Sequence, residues 1–452
     1  MIFDEFDKIS SKQWKHKIQF ELDGQDFNST VIWKSLEGID VKPFYHEDLE
    51  SASVSIDHNA HNWSIGQAIF VQNENTANKK AIKSLENGAE SLFFIVTDAK
   101  LSLSTLLKDI DWKNIPIYFE PAILDTALTT ELKTFFSRKK HAIFLLNDTI
   151  GNLARSGNWY HNMDRDIELI SQNLSHLKHL KSVISVDASL YQNAGASIIQ
   201  QLGYGLAHAN EYLHLFQNDI SKTMVFKFAI GSNYFFEIAK LQAFKLLWKS
   251  LMANHNMAID CHIISIPSKR NKTIYDFNVN LLRATTETMS AALGGSNMIL
   301  NMPYDAVYRK TNSFSDRLAL NQLLILKKES HFDEVTNPTE GAYYIENLTQ
   351  QLAHKALSLF KSTEKEGGFL KQLKGGKVQR SIAEHAKKEE NLYKSKNEGL
   401  VGVHFHSDKD LYMKSQIELY PFLKHKPRKT IIKPIIEKRI AEMEEKKRLD
   451  NE

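Results

Sequence analysis

The stretch Val183-Ile-Ser-Val-Asp-Ala-Ser-Leu-Tyr-Gln-Asn-Ala-Gly-Ala196 shows the alternation of apolar run and helical segment on which the predicted fold rests. It starts with the apolar run Val183–Val186, typical of a strand buried on both faces. Apolar residues then recur at helical spacing: Ala194, Ile198, Leu202, Leu206, Ala209 and Leu213. The apolar run Met224–Ile230 follows. Residues 183–230 are therefore predicted to form a strand, a helix and a second strand parallel to the first.

The same alternation extends from about residue 66 to residue 330. Its eight apolar runs are Ala68–Val71, Ser91–Val96, Ile115–Phe119, Ala142–Leu146, Val183–Val186, Met224–Ile230, Ile259–Ser265 and Met298–Leu300. Eight strands that alternate with helices predict an α/β fold, a (β/α)8 TIM barrel. A doubly wound open sheet is the main alternative, but no dinucleotide-binding glycine motif follows the first run.

The flanking regions differ from this pattern, so three parts are expected. Residues 1–60 are polar with little periodicity and are interpreted as an extended N-terminal arm, a candidate subunit contact. Residues 61–345 form the predicted barrel. Residues 346–452 are interpreted as a C-terminal helical linker region and a charged tail. From Ile435 onward we expect a solvated helix or tail, with a strap across a partner as the alternative.

Composition excludes several classes of function. The 452 residues are 42% hydrophobic and 25% charged with a formal net charge of +3, which suits a globular protein and gives no case for nucleic acid. Cys261 is the single cysteine, so no disulfide can form within the chain. The acidic N-terminus does not resemble a signal peptide and no apolar run is long enough to span a membrane, so a cytoplasmic protein with no membrane partner is expected.

Polar residues follow five of the predicted strands, where barrel enzymes place their chemistry. They are Gln72, Asn73, Glu74, Thr97, Asp98, Glu120, Asn147, Asp148, Asp187, Ser189 and Tyr191, and the apolar Pro121 follows Glu120. Capping of the next helix is the preferred interpretation for each carboxylate taken singly. His404, His406 and Asp408 would share a face on a strand and could hold a zinc ion, but surface histidines are the better interpretation. The basic run Lys424–Lys429 is expected to be solvated.

Several longer segments resemble one family of enzymes. Gln192-Asn-Ala-Gly-Ala196 is similar to the Gln-Glu-Ala-Gly-Ala half of a catalytic segment in cobalamin-dependent acyl-CoA mutases. The segments Trp33–Leu49, Glu237–Trp248 and Asn280–Gly295 resemble, in order, three further motifs of methylmalonyl-CoA mutases. Gly341–Glu346 and Gly399–Val403 follow in the expected positions. The chain is thus identified as a member of that family, which implies a TIM barrel.

Departures from the family pattern fall on its catalytic residues. Ser189 and Leu190 stand where the family has a Tyr-His pair, and leucine can neither bond a thioester carbonyl nor exchange a proton. Gly66 and Ala68 replace an Arg and a Tyr. His262 lies in a sequence similar to the cobalt-ligand motif, but inside the seventh predicted strand. The sequence ends without the cobalamin-binding domain that the family pattern would place after the barrel, so none is expected here.

The resemblance therefore implies a non-catalytic small subunit of a heterodimeric methylmalonyl-CoA mutase. No catalytic, cofactor-binding or metal residue is expected in this chain. Adenosylcobalamin would be bound in the holoenzyme by the partner, a catalytic large subunit that interconverts methylmalonyl-CoA and succinyl-CoA.

Three alternatives remain open. One is a stand-alone barrel protein with a rebuilt active site that uses Asp187, Tyr191 or Glu120. Another is a barrel subunit that borrows a separate cobalamin protein, which the loss of the substrate Tyr and His disfavours. The third is an acyl-CoA-binding module that uses the old substrate channel.

Overall fold

The computed structural model describes residues 7–48, 60–98, 100–136, 141–220, 222–423 and 428–452. It has ten strands: β1 (Trp33–Lys34), β2 (Asp40–Val41), β3 (Ser64–Val71), β4 (Ser91–Val96), β5 (Ile117–Pro121), β6 (Ile143–Asn147), β7 (Ser182–Asp187), β8 (Thr223–Ile230), β9 (Asp260–Pro267) and β10 (Met298–Leu300). Strands β3 to β10 form a closed barrel in the order β10-β3-β4-β5-β6-β7-β8-β9, and all neighbours are parallel.

All eight predicted strands are confirmed, and the open sheet is excluded. The sheet closes because β10 pairs with β3 over Met298 to Leu300. The longest strand pairing is between β8 and β9, and it runs from Thr223 opposite Asp260 to Ile230 opposite Pro267. Both faces of these strands are covered, one by the barrel interior and one by helices, which explains why the apolar runs are continuous.

Helices surround the barrel and continue beyond it. They are α1 (Ser11–Glu21), α2 (Phe27–Val31), α3 (Glu74–Glu86), α4 (Leu103–Leu106), α5 (Thr126–Phe136), α6 (Thr149–Ser156), α7 (Met163–His176), α8 (Ser189–Asn193), α9 (Ile198–Phe216), α10 (Tyr234–His255), α11 (Val279–Leu293), α12 (Ser313–Lys328), α13 (Tyr343–Lys365), α14 (Phe369–Lys374), α15 (Lys377–Lys394) and α16 (Glu442–Asp450). Of the helices so described, none has the length and apolar character needed to cross a membrane.

The N-terminal segment is more structured than the expected extended arm. Its helix α1 begins with a capping box, in which Ser10 and Gln13 each bond the other's backbone amide. The β1–β2 hairpin then presents Glu37, whose carboxylate accepts bonds from the backbone amides of Ile198 (2.8 Å) and Ile199 (3.1 Å). Glu37 therefore attaches this segment to the first turn of α9, one of the helices that cover the barrel.

The end of the chain lies across the carboxyl-terminal end of the barrel. We call residues 428–441 the strap. Its backbone amides at Ile435 and Lys438 donate to the carbonyls of Ala154 (2.7 Å) and Asn193 (3.0 Å). The expectation of a solvated helix or tail from Ile435 onward is wrong for residues 435–441, because Ile435 and Ile440 are buried, whereas α16 is a helix with mainly exposed side chains. The run Lys424–Lys429 lies mostly outside the described residues, since 424–427 are not described.

Candidate functional site

Bulky side chains fill the interior of the barrel. A cluster drawn from six of the strands contains Phe93, Tyr118, Phe144, Leu146, Val225, Ile264, Met298 and Leu300, all buried. The rings of Tyr118 and Phe144 stack with their centroids 4.5 Å apart. The Tyr118 hydroxyl lies 2.9 Å from Nε2 of His262, which also faces inward. The channel that a barrel-threading ligand would need is occupied by this packing.

Gly66 shows how tight the interior is. A Cβ at this position would lie 2.8 Å from Cδ2 of Leu300 and 2.9 Å from Sδ of Met298. Contacts that short require the side-chain ends of Leu300 and Met298 to move, so even an alanine at this position would disturb the packing of β10. The arginine that the family pattern has here could not be accommodated without repacking β10.

Charged residues close the mouth of the barrel, defined as the carboxyl-terminal end of its strands. The ammonium of Lys227 on β8 contacts Glu120 on β5 and lies 2.9 Å from Oδ2 of Asp187 on β7. Burial alone would raise the pKa of Asp187, but Lys227 and Arg155 outweigh it and hold that pKa well below its usual range. Burial likewise opposes the charge of Lys227, yet the two carboxylates raise its pKa above the usual value. These groups therefore stay charged at neutral pH.

The strap adds a further carboxylate to this network. Arg155 on α6 donates from Nη2 to Asp187 (2.7 Å) and from Nη1 to Oε2 of Glu437 (3.0 Å). The other oxygen of Glu437, Oε1, accepts from Nδ2 of the buried Asn193 (3.1 Å). Both carboxylate oxygens of Glu437 are therefore bound at the mouth.

A second network lies behind the mouth and connects Asp148 with Tyr191. Asp148 caps α6 by accepting from the amide of Gly151 (2.8 Å) and lies 3.0 Å from Nε2 of His208. Nδ1 of His208 is 2.9 Å from the hydroxyl of Tyr191, and the hydroxyl of Tyr212 also donates to Asp148. Tyr191 is fully buried, and burial raises its pKa well above the usual value. This network fixes α6, α8 and α9 but does not open to solvent at Tyr191.

Buried ion pairs also lie beside the mouth, under a side cavity of about 170 Å³. Glu237 and Lys240 pair within α10, and Lys272 donates to both oxygens of Glu287 on α11 at 2.9 and 2.7 Å. Lys240 also donates to the carbonyl of Ala229 (2.7 Å). These contacts connect α10 and α11 to the ends of β8 and β9.

Other predicted site residues have structural roles. Asn73 caps α3 by accepting from Thr76, and Asn147 donates to the carbonyl of Val183 (3.0 Å) inside the sheet. Thr97 donates to the carbonyl of Val71 (3.0 Å). The capping predicted for the carboxylates is thus confirmed for Asp148, whereas Glu120 serves an ion pair, and Asp187 serves ion pairs and also accepts from the amide of Ser189 at the start of α8.

The histidines near residue 404 do not lie on a strand. They belong to a turn in which the amide of Leu400 donates to Nδ1 of His404 (3.0 Å), and His406 has a positive φ of 52°. The alternating geometry assumed for a zinc site is therefore wrong. Within the described ranges no three His, Cys, Asp or Glu side chains are grouped to hold a metal ion.

Sequence reasoning missed four residues of these networks: Arg155, His208, Lys227 and Glu437. Lys227 had a signal, since it interrupts the apolar run Met224–Ile230. A lysine inside a buried strand requires a partner carboxylate. Arg155 and Glu437 are separated by 282 residues, so no local pattern connects them.

The family resemblance implies adenosylcobalamin in the holoenzyme, but the described residues of this chain do not fit that cofactor. His262, which the cobalt-ligand motif would assign as ligand, lies inside the barrel beside Tyr118 and Phe144. Burial lowers the pKa of His262 to about 3. The strap also bonds α6 and α8 at the mouth, through the carbonyls of Ala154 and Asn193.

Comparisons with known proteins agree with the sequence resemblance. A family model described as methylmalonyl-CoA mutase matches residues 95–447. The methylmalonyl-CoA mutase small subunit of Porphyromonas gingivalis is 34% identical over 418 residues, which cover 84% of this chain and 67% of that protein. The methylmalonyl-CoA mutase small subunit of Propionibacterium freudenreichii is 26% identical over a match that covers 68% of this chain and 51% of that protein.

A large subunit is also similar to this chain. The methylmalonyl-CoA mutase large subunit of P. gingivalis is 30% identical over 246 residues, covering 52% of this chain and 34% of that protein. The chain thus spans about two thirds of the length of the P. gingivalis small subunit, about half of the P. freudenreichii small subunit and about a third of the P. gingivalis large subunit. The family model covers well over half of the residues. The chain therefore belongs to the methylmalonyl-CoA mutase family.

Proposed function

We propose that this chain acts as the non-catalytic small subunit of a methylmalonyl-CoA mutase and supports a catalytic large subunit. The observation that carries the proposal is the filled barrel, in which Gly66 packs so closely against Met298 and Leu300 that even a Cβ would require these side chains to shift. A barrel enzyme needs an accessible site at the carboxyl ends of its strands. Here Lys227 with its two carboxylates occupies that position.

Missing proton-transfer groups support the same proposal. Leu190 lies fully buried where the family has a histidine, and Tyr191 beside it is bonded to His208. A general acid or base must reach its substrate with a titrating group near neutral pH. Asp187 and Lys227 do not meet that condition, because ion pairing holds their pKa values far from neutrality.

A large subunit is the proposed partner. P. gingivalis has proteins named as the small and the large subunit, and this chain is similar to both. The N-terminal segment is the proposed contact, because α1 exposes Trp14 (49%) and Phe20 (81%). Exposed aromatic side chains are characteristic of interface centres. Adenosylcobalamin, which mutases of this family require, would be bound by the large subunit.

Co-expression with a large subunit from the same cells tests both parts of the proposal. We expect a stoichiometric complex that interconverts methylmalonyl-CoA and succinyl-CoA, and no activity from this chain alone with added adenosylcobalamin. Activity of the isolated chain would refute the non-catalytic role. A chain that stays monomeric beside the large subunit would refute the partnership.

The contact surface has its own test. The double substitution W14S/F20S, or removal of residues 1–35, should weaken the complex at least tenfold in affinity. Leu282→Ser is the matched control, since Leu282 on α11 is 67% exposed but lies on the barrel periphery. Equal affinity of the double variant and the control would reject the N-terminal segment as the contact.

A further inference from the structure

We propose that Arg155 and Asn193 form a carboxylate-binding site at the mouth of the barrel, which the chain fills with its own Glu437. Glu437 would thus be an intramolecular ligand, and small monocarboxylates would bind there when its side chain is withdrawn. Both donors and Glu437 belong to this chain, so the site exists without a partner subunit.

The geometry is that of a two-point carboxylate site. Nη1 of Arg155 donates to Oε2 of Glu437 at 3.0 Å, and Nδ2 of Asn193 donates to Oε1 at 3.1 Å. Each oxygen thus has one donor, and one of the two donors is charged. Charged donors make the stronger hydrogen bonds to carboxylates.

Asn193 is built into the protein in a fixed orientation. Its side chain is 4% exposed, and its Oδ1 accepts from the amide of Lys269 (3.0 Å) and the hydroxyl of Ser268 (3.2 Å). Because these two groups are donors, Oδ1 must face them and Nδ2 must face the mouth. The orientation of Asn193 is therefore independent of Glu437.

Arg155 is also held without Glu437. Its Nη2 donates to Asp187 at 2.7 Å, and Asp187 is in turn bound to Lys227 and to the amide of Ser189. With Glu437 removed, Arg155 and Lys227 would still contact Asp187 and Glu120, and the carboxylate of Asp148, which lies 3.0 Å from His208, would remain behind them. The guanidinium edge that faced Glu437 would lose its acceptor, and an added carboxylate would restore that charged hydrogen bond.

The strap keeps its place through its backbone. The amides of Ile435 and Lys438, on either side of Glu437, donate to the carbonyls of Ala154 and Asn193. Truncating Glu437 to alanine deletes a methylene and a carboxylate and leaves these backbone bonds intact. The space left has the size of acetate, so acetate should fit better than the larger isobutyrate.

The test compares Glu437→Ala with a matched strap variant. Lys438 pairs with Glu390 at 2.9 Å, and the Glu390 side chain is 22% exposed against 27% for Glu437. Glu390→Ala therefore removes an ion pair of the same strap at similar burial, but away from Arg155 and Asn193. Both variants and the wild type are unfolded thermally in sodium acetate from 0 to about 200 mM, at ionic strength held constant with sodium chloride.

We expect Glu437→Ala to unfold about 1–3 °C below the wild type and acetate to recover at least half of that loss in a saturable manner. Acetate should leave the wild type and Glu390→Ala unchanged, and isobutyrate should recover less than acetate. No saturable response in Glu437→Ala, or the same response in Glu390→Ala, would overturn the proposal.

A second variant keeps the proposal testable if Glu437→Ala does not fold. Glu437→Gln preserves the shape but places an amide donor against Arg155 or Asn193, both of which are donors. We expect this variant to be less stable than the wild type and not to respond to acetate, because the amide still fills the site. Wild-type stability of Glu437→Gln would show that the site has no preference for a carboxylate.

Discussion

Lys227 is the centre of the charge network at the mouth, and its replacement by methionine should destabilise the fold measurably. The lysine contacts Glu120 and Asp187, and the side chains of the three residues are 14%, 28% and 16% exposed. Removing one partner of a fully buried pair costs about 3–5 kcal/mol. Partial exposure and the second partner of Asp187, Arg155, reduce this figure. We expect a loss of about 2 kcal/mol in the free energy of unfolding at pH 7.

The pH dependence of this loss follows from the two shifted pKa values. The pKa of Asp187 is lowered in the folded protein, so its stabilising contribution is complete above the unfolded value of 3.8 and is lost as the pH falls from there through the folded value. The pKa of Lys227 is raised, so its contribution is complete below 10.5 and is lost as the pH rises through the folded value. The difference between Lys227→Met and the wild type should therefore be full between about pH 5 and pH 9 and clearly smaller at about pH 2.5.

Urea unfolding followed by circular dichroism at pH 7 and at about pH 2.5 measures this difference. Lys222→Met is the control, because Lys222 directly precedes the same strand and is exposed; it should change stability by less than about 0.5 kcal/mol. A loss in Lys227→Met no larger than in the control would refute the reasoning. A loss of equal size at both pH values would show that packing, and not the ion pairs, accounts for the effect.

Three further substitutions or titrations test the interior and the N-terminal segment. Gly66→Ala should cost about 1–3 kcal/mol in urea unfolding, because its Cβ would lie 2.8 Å from Leu300; unchanged stability would contradict the filled interior. The His262 ring should stay neutral down to about pH 3, because burial lowers its pKa. Its NMR signals should therefore not move between pH 8 and pH 5. A titration midpoint above pH 5 would contradict the position of the ring beside Tyr118. Glu37→Ala should cost about 1 kcal/mol and speed hydrogen exchange in the first turn of α9, and no change in exchange would argue against the cap.

The barrel could be predicted from the sequence because its strands are buried on both faces. Continuous apolar runs such as Met224–Ile230 follow directly from that burial, and their alternation with helices indicates the topology. The helix α1 was predictable too, because Ser10 and Gln13 have the spacing of a capping box. The low hydrophobic periodicity of residues 1–60 nevertheless favours an extended arm, so the sequence prediction does not include this helix.

The strap could not be predicted, because its partners are distant in sequence. Ile435 donates to Ala154, and Glu437 bonds to Asn193, 244 residues earlier. The segment from Ile435 onward is dense in Glu, Lys and Arg, which is typical of a solvated tail. Its isoleucines are the signal against that interpretation, but a few apolar residues do not identify the surface that they cover.

The motif residues that this chain shares with the family pattern lie in buried contacts that hold the barrel together. Glu237 pairs with Lys240 inside α10, and Glu287 on α11 pairs with Lys272. Asn280 accepts from the amide of Thr273 at 3.1 Å. Breaking such pairs would leave buried charges or amides without partners, at a cost of several kcal/mol each. Their presence is explained by the fold, whether or not any reaction takes place.

The residues that depart from the family pattern mostly lie where chemistry would occur. Gly66 and Ala68 line the barrel interior and Leu190 is buried at its mouth. Gln242, which stands where the family pattern usually has an arginine, is the exception, since it accepts from the hydroxyl of Thr349 on α13 at 3.1 Å and so belongs to helix packing. If the departures reflected general drift, they would be expected equally among the buried ion pairs. Because Gly66 and Leu190 instead lie in close packing, these departures support the proposal that the barrel acts as a structural support.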